Sequence, residues 1–338
     1  MSSLESAPAA GQPEVRPPTS RFVFEPQQVM ALLRQRIVGQ DAALAAVEAQ
    51  LKVLKADIGD RERPLGVNLF MGPTGVGKTE IVRLLAQAIH GRADALCRID
   101  MQTLAQEHYA AALTGAPPGY VGSKEGVSLF DSELIQGSYS RPGIVLFDEL
   151  EKASDEVLRS LLGILESGIL TLASGSRTLD FRNSLIFMTS NIGARQANAR
   201  RQRLSGWRRL LGGFGEGEAQ VLERALHGRF EPEFLNRIDR ILVFERIEGH
   251  WLEALLDIEL SKLNKRLGPQ RPLSLDEPAR AWLGRGHDPR FGARALVRRV
   301  RVELEPAIAD YLLTGAESGP MRATVRDRRL VVLAQAGG

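Results

Sequence analysis

Cysteine is almost absent from the sequence, since Cys97 is the single one among 338 residues. One thiol excludes an internal disulfide framework and favours a reducing compartment. Long apolar runs are also missing, because no stretch approaches the roughly 18 uninterrupted apolar residues of a membrane-spanning helix. Residues 1–20 lack the basic start and apolar centre of a secretion signal, and their Ser, Ala and Pro predict a disordered tail. We therefore expect a cytoplasmic protein that does not enter a membrane.

The sequence has little excess charge of either sign. Its formal net charge is +3, and its pI is near 9.2. Arginine clusters at residues 200–203, 208–209 and 298–301 raise the question of a nucleic-acid surface. However, acidic residues nearly balance the total and no aromatics interleave the clusters, while residues 298–301 fit an amphipathic helix with Arg on its solvated face. Nucleic acid is therefore not an expected partner.

The most informative segment present is a complete G-x-x-x-x-G-K-[ST] phosphate loop. An apolar run at residues 67–71 predicts a strand before it, and residues 80–89 have helical spacing after it. Backbone N–H groups of such a loop surround the β-phosphate, the Lys reaches the β- and γ-oxygens, and the final Thr ligates Mg²⁺. The expected cofactors are ATP and Mg²⁺, with no other metal bound by protein ligands. The nucleotide-binding residues are Gly72, Pro73, Thr74, Gly75, Val76, Gly77, Lys78 and Thr79.

Two further strands end in polar side chains suited to hydrolysis. Residues 143–149 form a Walker B strand, in which Asp148 would complete the Mg²⁺ shell beside Thr79 and Glu149 would polarise a water for attack on the γ-phosphate. Residues 184–189 predict another strand, followed by Asn191. If this strand lies beside the Walker B strand, the Asn191 amide can orient the same water.

Other patterns extend the prediction towards the C-terminus. Ser154 would cap a helix running to about Glu166, and residues 171–173 and 178–181 predict a hairpin. Beyond residue 248, apolar residues recur with helical spacing, and two late strands are predicted at 322–325 and 330–333.

Several motifs in this order resemble the Clp family of AAA+ unfoldases. The similarity is to the second ATPase module of the ClpB, ClpA and ClpC proteins and covers about residue 22 to the end. The motifs are IVGQ at 37–40, the phosphate loop, GAPPGYVG at 115–122, LFDELEKA at 146–153, MTSN at 188–191, PEFLNRID at 232–239 and GAR at 292–294.

The resemblance implies an α/β fold in which a P-loop module, a parallel sheet with helices on both faces, is followed by a smaller C-terminal α+β domain. Residues 21–247 would form the large ATPase domain and residues 248–338 the small domain. It also implies a hexameric ring with ATP between subunits. Val38 would line the adenine pocket, Arg294 would act as a second sensor in its own subunit, and Arg237 would be an arginine finger entering the neighbouring site.

The resemblance further implies a central pore that grips polypeptide. The pore loop would present Gly119, Tyr120, Val121 and Gly122, where an aromatic and a Val occupy a Gly- and Pro-rich loop. Such contacts need little sequence specificity, as suits unfolded or aggregated substrates.

Several function classes stay open on the sequence. The leading hypothesis is an ATP-dependent unfoldase or disaggregase chaperone acting as a homo-hexamer. An alternative is an ATPase that remodels one dedicated partner complex, since no substrate-receiving domain precedes the module in this sequence. Residues 211–215 resemble, in part, the loop that docks on a Clp-type peptidase. A nucleic-acid-directed AAA+ protein is the least favoured class.

Overall fold

The computed structural model describes residues 20–105, 129–171, 178–192, 224–247, 249–285, 292–314 and 318–335. A five-stranded sheet occupies its first part. The strands are β1 Gly66–Met71, β2 Cys97–Asp100, β3 Gly143–Asp148, β6 Ser184–Ser190 and β7 Arg240–Val243. They pair in parallel in the order β2-β3-β6-β1-β7. The Walker B strand β3 therefore lies beside β6, as the role predicted for Asn191 requires.

Helices cover both faces of this sheet. One face packs on α1 Pro26–Arg36, α2 Asp41–Lys55 and α3 Lys78–His90. The other packs on α4 Ser132–Gln136, α5 Asp155–Ser167 and α6 Pro232–Leu235. Every residue of β1, β3 and β6 is buried, which explains their nearly continuous apolar sequences. The α/β class and the phosphate-loop fold predicted from the sequence are confirmed.

Helix α5 begins where the sequence predicts. The Ser154 hydroxyl accepts a hydrogen bond from the Val157 N–H at 3.3 Å, which satisfies one of the free N–H groups of the first turn. The helix ends at Gly168, and a short hairpin follows, made of β4 Ile169–Thr171 and β5 Thr178–Asp180. The first hairpin strand starts earlier than predicted, because it follows the helix end directly.

The C-terminal part has its own sheet and its own core. Strands β8 Leu273–Leu275, β9 Met321–Arg326 and β10 Arg329–Ala334 pair in the order β10-β9-β8. Helices α7 His250–Leu267, α8 Glu277–Gly284, α9 Ala293–Arg299 and α10 Glu305–Leu313 pack on it, with a π-helical turn at Val300–Leu304 joining the last two.

One buried side chain ties the N-terminal segment to the chain that leaves the larger sheet. The Gln40 amide donates to the Glu245 carbonyl and accepts from the Glu245 N–H, both at 2.9 Å. The Gln40 side chain takes the place of a backbone partner for both the N–H and the carbonyl of Glu245, so the loop before α2 stays next to the residues that follow β7.

No described helix is both long and apolar enough to cross a membrane.

We expect the Ser154 cap of α5 to contribute measurably to the free energy of unfolding. Ser154→Ala should lower the free energy of unfolding by about 1 kcal/mol, because the first turn loses its side-chain acceptor. Ser160→Ala in the same helix is the matched control. The Ser160 hydroxyl only donates to the Glu156 carbonyl one turn earlier, so its removal should be neutral or stabilising by about 0.5 kcal/mol.

Urea unfolding of the two variants, followed by circular dichroism, measures this difference. Equal midpoints for Ser154→Ala and Ser160→Ala would contradict the capping role.

Candidate nucleotide site

The phosphate loop joins β1 to α3 at the carboxyl edge of the large sheet. Gly77, the residue before the helix, has a φ of 106°, a conformation that a side chain would strain. The first N–H groups of α3 have no acceptor within the helix, so they are free to face an anion.

Lys78 is buried and satisfies its ammonium with loop oxygens. Nζ donates to the carbonyls of Gly72 at 2.6 Å and Pro73 at 2.7 Å, and to Oδ1 of Asn191 at 2.9 Å. Burial lowers the pKa of Lys78 to about 8, while the carboxylates of Glu151 and Asp148 act in the opposite direction. The Lys78 ammonium can thus exchange these carbonyl oxygens for the phosphate oxygens of a bound nucleotide.

Asp148, the last residue of β3, is buried at the centre of a hydrogen-bond cluster. Oδ1 accepts from the Thr189 hydroxyl at 2.5 Å and lies 3.4 Å from the Thr79 hydroxyl. Oδ2 accepts from Nη2 and Nε of Arg98, at 2.6 and 3.1 Å. Carboxylate and hydroxyl oxygens are hard ligands of the kind that Mg²⁺ prefers, so Thr79 and Asp148 fit that ion.

Glu149 has a positive φ of 59°, which is rare for a residue with a side chain. Its N–H donates to the Thr189 hydroxyl at 3.0 Å, and its carbonyl accepts from the Lys152 N–H at 2.9 Å. Strained backbone of this kind persists when neighbouring contacts hold it, and it is common at active sites. The turn directs the Glu149 side chain into the cavity described below.

Asn191 follows β6 and contacts both the phosphate-loop lysine and the Walker B segment. Its backbone N–H and its Nδ2 each donate to Oε1 of Glu151 at 3.2 Å. Among the described residues, none forms a hydrogen bond with the buried Oε2 of Glu151. The amide is therefore oriented from two sides, with its oxygen towards Lys78.

These residues line a cavity of about 680 Å³ between the two parts of the structure. The small part contacts the phosphate loop directly, since the Ala293 N–H donates to the Gly75 carbonyl at 2.8 Å. A Cβ on Gly292 would lie 2.7 Å from that carbonyl oxygen, so only glycine permits the contact. Arg294, which follows Ala293, also lines the cavity.

The structure brings most of the predicted site residues together. The cavity is lined by Val38, Thr74, Gly75, Val76, Gly77, Lys78, Thr79, Asp148, Glu149, Asn191 and Arg294. Gly72 and Pro73 contribute carbonyls to Lys78 instead. The predicted pore residues 119–122 lie outside the described residues, as do residues 211–215.

Arg237 lies elsewhere. Its Nη2 donates to Oε1 of Glu166, near the end of α5, at 2.5 Å, and 40% of its side chain is exposed. Among the described residues around the cavity, Arg237 is not part of the lining.

The prediction that the arginines at 298–301 lie on a solvated helix face needs a correction. Arg298 and Arg301 are exposed, as predicted, but the face that exposes them is a wall of the cavity. Arg299 is not on the solvated face, because it is half-buried and donates to Glu303 and to the Leu283 carbonyl. The helical pattern was wrong for Arg299, and for Arg298 and Arg301 it could not show that they face the cavity.

Sequence reasoning did not assign roles to Thr189 and Arg98. The sequence signals for Thr189 are its polar position in an apolar strand and its place in the MTSN motif at 188–191. Arg98 occupies an exposed position of β2, a short strand with alternating burial. The register of β2 against β3, which pairs Asp100 with Asp148, is what brings Arg98 to the site.

Comparisons with known proteins agree with this geometry. Residues 63–241 match the family model described as AAA domain (Cdc48 subfamily), and residues 249–325 match that of the C-terminal, D2-small domain, of ClpB protein. The chain is 52% identical to "ATP-dependent protease ATP-binding subunit-like protein AmiB" of Pseudomonas aeruginosa, covering 90% of this chain and 84% of the relative. A similarly named Rhodococcus erythropolis protein is 42% identical, with 86% and 84% covered.

Two longer proteins are also similar. The ATP-dependent Clp protease ATP-binding subunit ClpC of Staphylococcus aureus is 36% identical over 87% of this chain, which spans 35% of ClpC. The closed-state cryo-EM reconstruction of Hsp104 with ATPyS and FITC casein superposes with a TM-score of 0.75 and 26% identity. That match covers 91% of this chain and 52% of the Hsp104 chain.

We expect Thr189→Val to slow ATP hydrolysis by roughly 10-fold or more, in line with the loss of a group that orients a metal ligand. The substitution keeps the side-chain shape but removes the donor to Asp148 and the acceptor of the Glu149 N–H. Steady-state ATP hydrolysis measures the effect, and Thr171→Val, on the exposed side of the β4–β5 hairpin, is the control. A kcat equal to that of the control would contradict the role given to Thr189.

Proposed function

The chain belongs to the Clp family of AAA+ ATPases, and from this membership we propose that it is a protein unfoldase or disaggregase that threads polypeptide through the pore of a hexameric ring. It hydrolyses ATP, as members of this family do. We propose the hexameric assembly, the polypeptide substrate and the roles of the individual site residues.

The position of Arg237 is the observation that carries the proposal. The other predicted residues of hydrolysis line one cavity, whereas Arg237 is exposed on the surface and paired with Glu166. A guanidinium stabilises charge developing on the γ-phosphoryl oxygens only from within contact distance. An Arg237 that serves hydrolysis must therefore come from a neighbouring copy, which makes activity depend on assembly.

Within one subunit, the cavity residues divide the chemistry. Lys78 and Arg294 would hold phosphate oxygens, and Thr79 and Asp148 would hold Mg²⁺, which neutralises phosphate charge when bound. Glu149, whose backbone is fixed by Thr189, would accept a proton from the attacking water, and the Asn191 amide would orient that water. Val38 lies on the cavity wall together with Ile247, Leu255, Ile258 and Val297, an apolar surface suited to adenine.

Two features support polypeptide as the substrate. The GAPPGYVG motif at residues 115–122 resembles the pore loop of Clp unfoldases, in which an aromatic and a Val would grip an extended chain, and the similar Hsp104 structure was determined with FITC casein. We propose unfolded or aggregated protein as the substrate class. The cytoplasmic location predicted from the sequence stays a prediction.

Docking on a Clp-type peptidase is a second candidate function. The relatives from Pseudomonas aeruginosa, Rhodococcus erythropolis and Staphylococcus aureus all carry the words ATP-dependent protease or Clp protease ATP-binding subunit in their names. Residues 211–215 are the candidate docking loop.

Mixing two inactive variants tests whether Arg237 acts on a neighbour. Arg237→Ala should lower ATP hydrolysis about 1,000-fold or more, as expected for an arginine finger. Lys78→Ala should also be inactive, because it removes the cation of the phosphate loop. In a mixture, Lys78→Ala subunits would supply Arg237 to the intact cavities of Arg237→Ala subunits. Hydrolysis should therefore recover partly, with a maximum at intermediate mixing ratios.

Arg240→Ala, at a half-buried position of the edge strand β7, is the control for loss of a nearby charge and should stay active. Mixed assemblies that form but show no recovery at any ratio would exclude action in trans.

A trapped ATP state tests the ring and its substrate. Glu149→Gln should bind ATP but hydrolyse it slowly, so with saturating ATP and Mg²⁺ its mass should be that of six copies, and it should retain labelled casein. Adding Tyr120→Ala should abolish casein retention without changing the mass. Adding Tyr139→Ala, which removes a tyrosine that is 78% exposed, should change neither.

Mass measurement by light scattering and co-elution of the label provide both readouts. A monomer, or a ring that ignores casein, would shift the proposal to a dedicated partner complex or a mixed ring.

A further inference from the structure

Arg98 forms an ion pair with the Walker B aspartate that none of the sequence motifs explains. Both Nη2 and Nε donate to the same oxygen, Oδ2 of Asp148, at 2.6 and 3.1 Å. The carboxylate is desolvated, with 10% of its side chain exposed, whereas 55% of the Arg98 side chain is exposed in the cavity. The guanidinium thus reaches into the site from its open side.

This pair occupies the part of Asp148 that the motif residues leave open. Oδ1 already faces the hydroxyls of Thr189 and Thr79. Among the described residues, only Arg98 donates a hydrogen bond to Oδ2. A cation or its bound water that approaches Asp148 from the cavity therefore meets a guanidinium on the available oxygen.

Two cations cannot share one carboxylate oxygen without strong repulsion at contact distance. A buried carboxylate without a partner is costly too, so Asp148 needs a cation or donor on Oδ2 before a nucleotide arrives. Arg98 supplies that partner. Its exposed side chain leaves it free to turn towards other acceptors, and the phosphate loop lines the same cavity.

We propose that Arg98 is a positioning residue that holds Asp148 in the nucleotide-free enzyme and leaves Oδ2 when ATP and Mg²⁺ bind, turning its guanidinium to phosphate oxygens. The inference rests on the magnesium role proposed above for Asp148 and Thr79. It makes Arg98 a competitor of Mg²⁺ before binding and a ligand of the nucleotide afterwards.

The test is the binding of a fluorescent N-methylanthraniloyl-ATP to the full chain, first in EDTA and then during a titration with MgCl₂. Arg98→Met keeps the aliphatic length and removes the charge. The Mg²⁺ concentration at half-maximal enhancement should fall about fivefold, as expected for the loss of one partly exposed ion pair. At saturating MgCl₂ the affinity for the nucleotide should fall, because the bound nucleotide loses the guanidinium that turns to its phosphate oxygens.

Arg92→Met is the matched control, since Arg92 is a surface residue whose partner is Asp94. It should change neither the Mg²⁺ midpoint nor the affinity at saturating MgCl₂. Arg98→Lys retains charge without the forked geometry, so its Mg²⁺ midpoint should fall between wild type and Arg98→Met. It also serves as the test variant if Arg98→Met does not fold, as judged by circular dichroism.

Asp148→Asn separates the two levels of the inference. If Asp148→Asn loses the Mg²⁺ enhancement while Arg98→Met leaves the midpoint unchanged or raises it, the role of Arg98 is overturned and the proposed magnesium site stands. If Asp148→Asn keeps the wild-type Mg²⁺ dependence, both fall. A lower midpoint in Arg98→Met, with Asp148→Asn unresponsive to Mg²⁺, supports both.

Discussion

The buried carboxylate of Asp148 is the constraint on which the site depends. Removing such a charge from water costs several kcal/mol unless hydrogen bonds and opposite charge compensate. Its partners come from three other segments: Thr79 at the start of α3, Arg98 on β2 and Thr189 on β6. Only the parallel pairing of β2, β3, β6 and β1 places these segments at one edge, so the charge is compensated only in the folded sheet.

The same cluster fixes the neighbouring Glu149. Its left-handed backbone is held by Thr189, which also donates to Asp148, so one hydroxyl orients both acidic residues. Strain at Glu149 is thus supported by the interaction that stabilises the buried charge. The proposed metal ligand Asp148 and the proposed base Glu149 are thus joined through one hydroxyl.

Helix α5 connects this edge to Arg237. At its start, Arg229 donates to the Glu151 carbonyl at 3.2 Å and to Asp155 at 2.8 Å, and it also contacts the Ala153 carbonyl. At its end, Glu166 accepts from Arg237. The loop after Glu149 and the arginine that we propose serves the neighbouring subunit therefore contact opposite ends of the same helix.

Much of this could be predicted because the signals are local. The phosphate loop, the long apolar strands β1, β3 and β6 and the cap at Ser154 each depend on residues close together in the chain. Strands β2 and β7 lack that signal, since each is four residues long and alternates in burial or exposure. They pair only because a longer strand is already beside them, and β2 is what brings Arg98 to Asp148.

The sequence by itself determined the ligand class, the order of the elements that carry the motifs and the residue types available for hydrolysis, because these follow from spacing along the chain. The tertiary structure decided which of those residues meet. It showed that Arg298 and Arg301 face the cavity, that Arg237 does not, and that Arg98 binds the Walker B carboxylate. Such contacts join residues that are far apart in the chain, for example 50 positions for Arg98 and Asp148. They depend on strand register and on the packing of the small part against the phosphate loop, which no local pattern encodes.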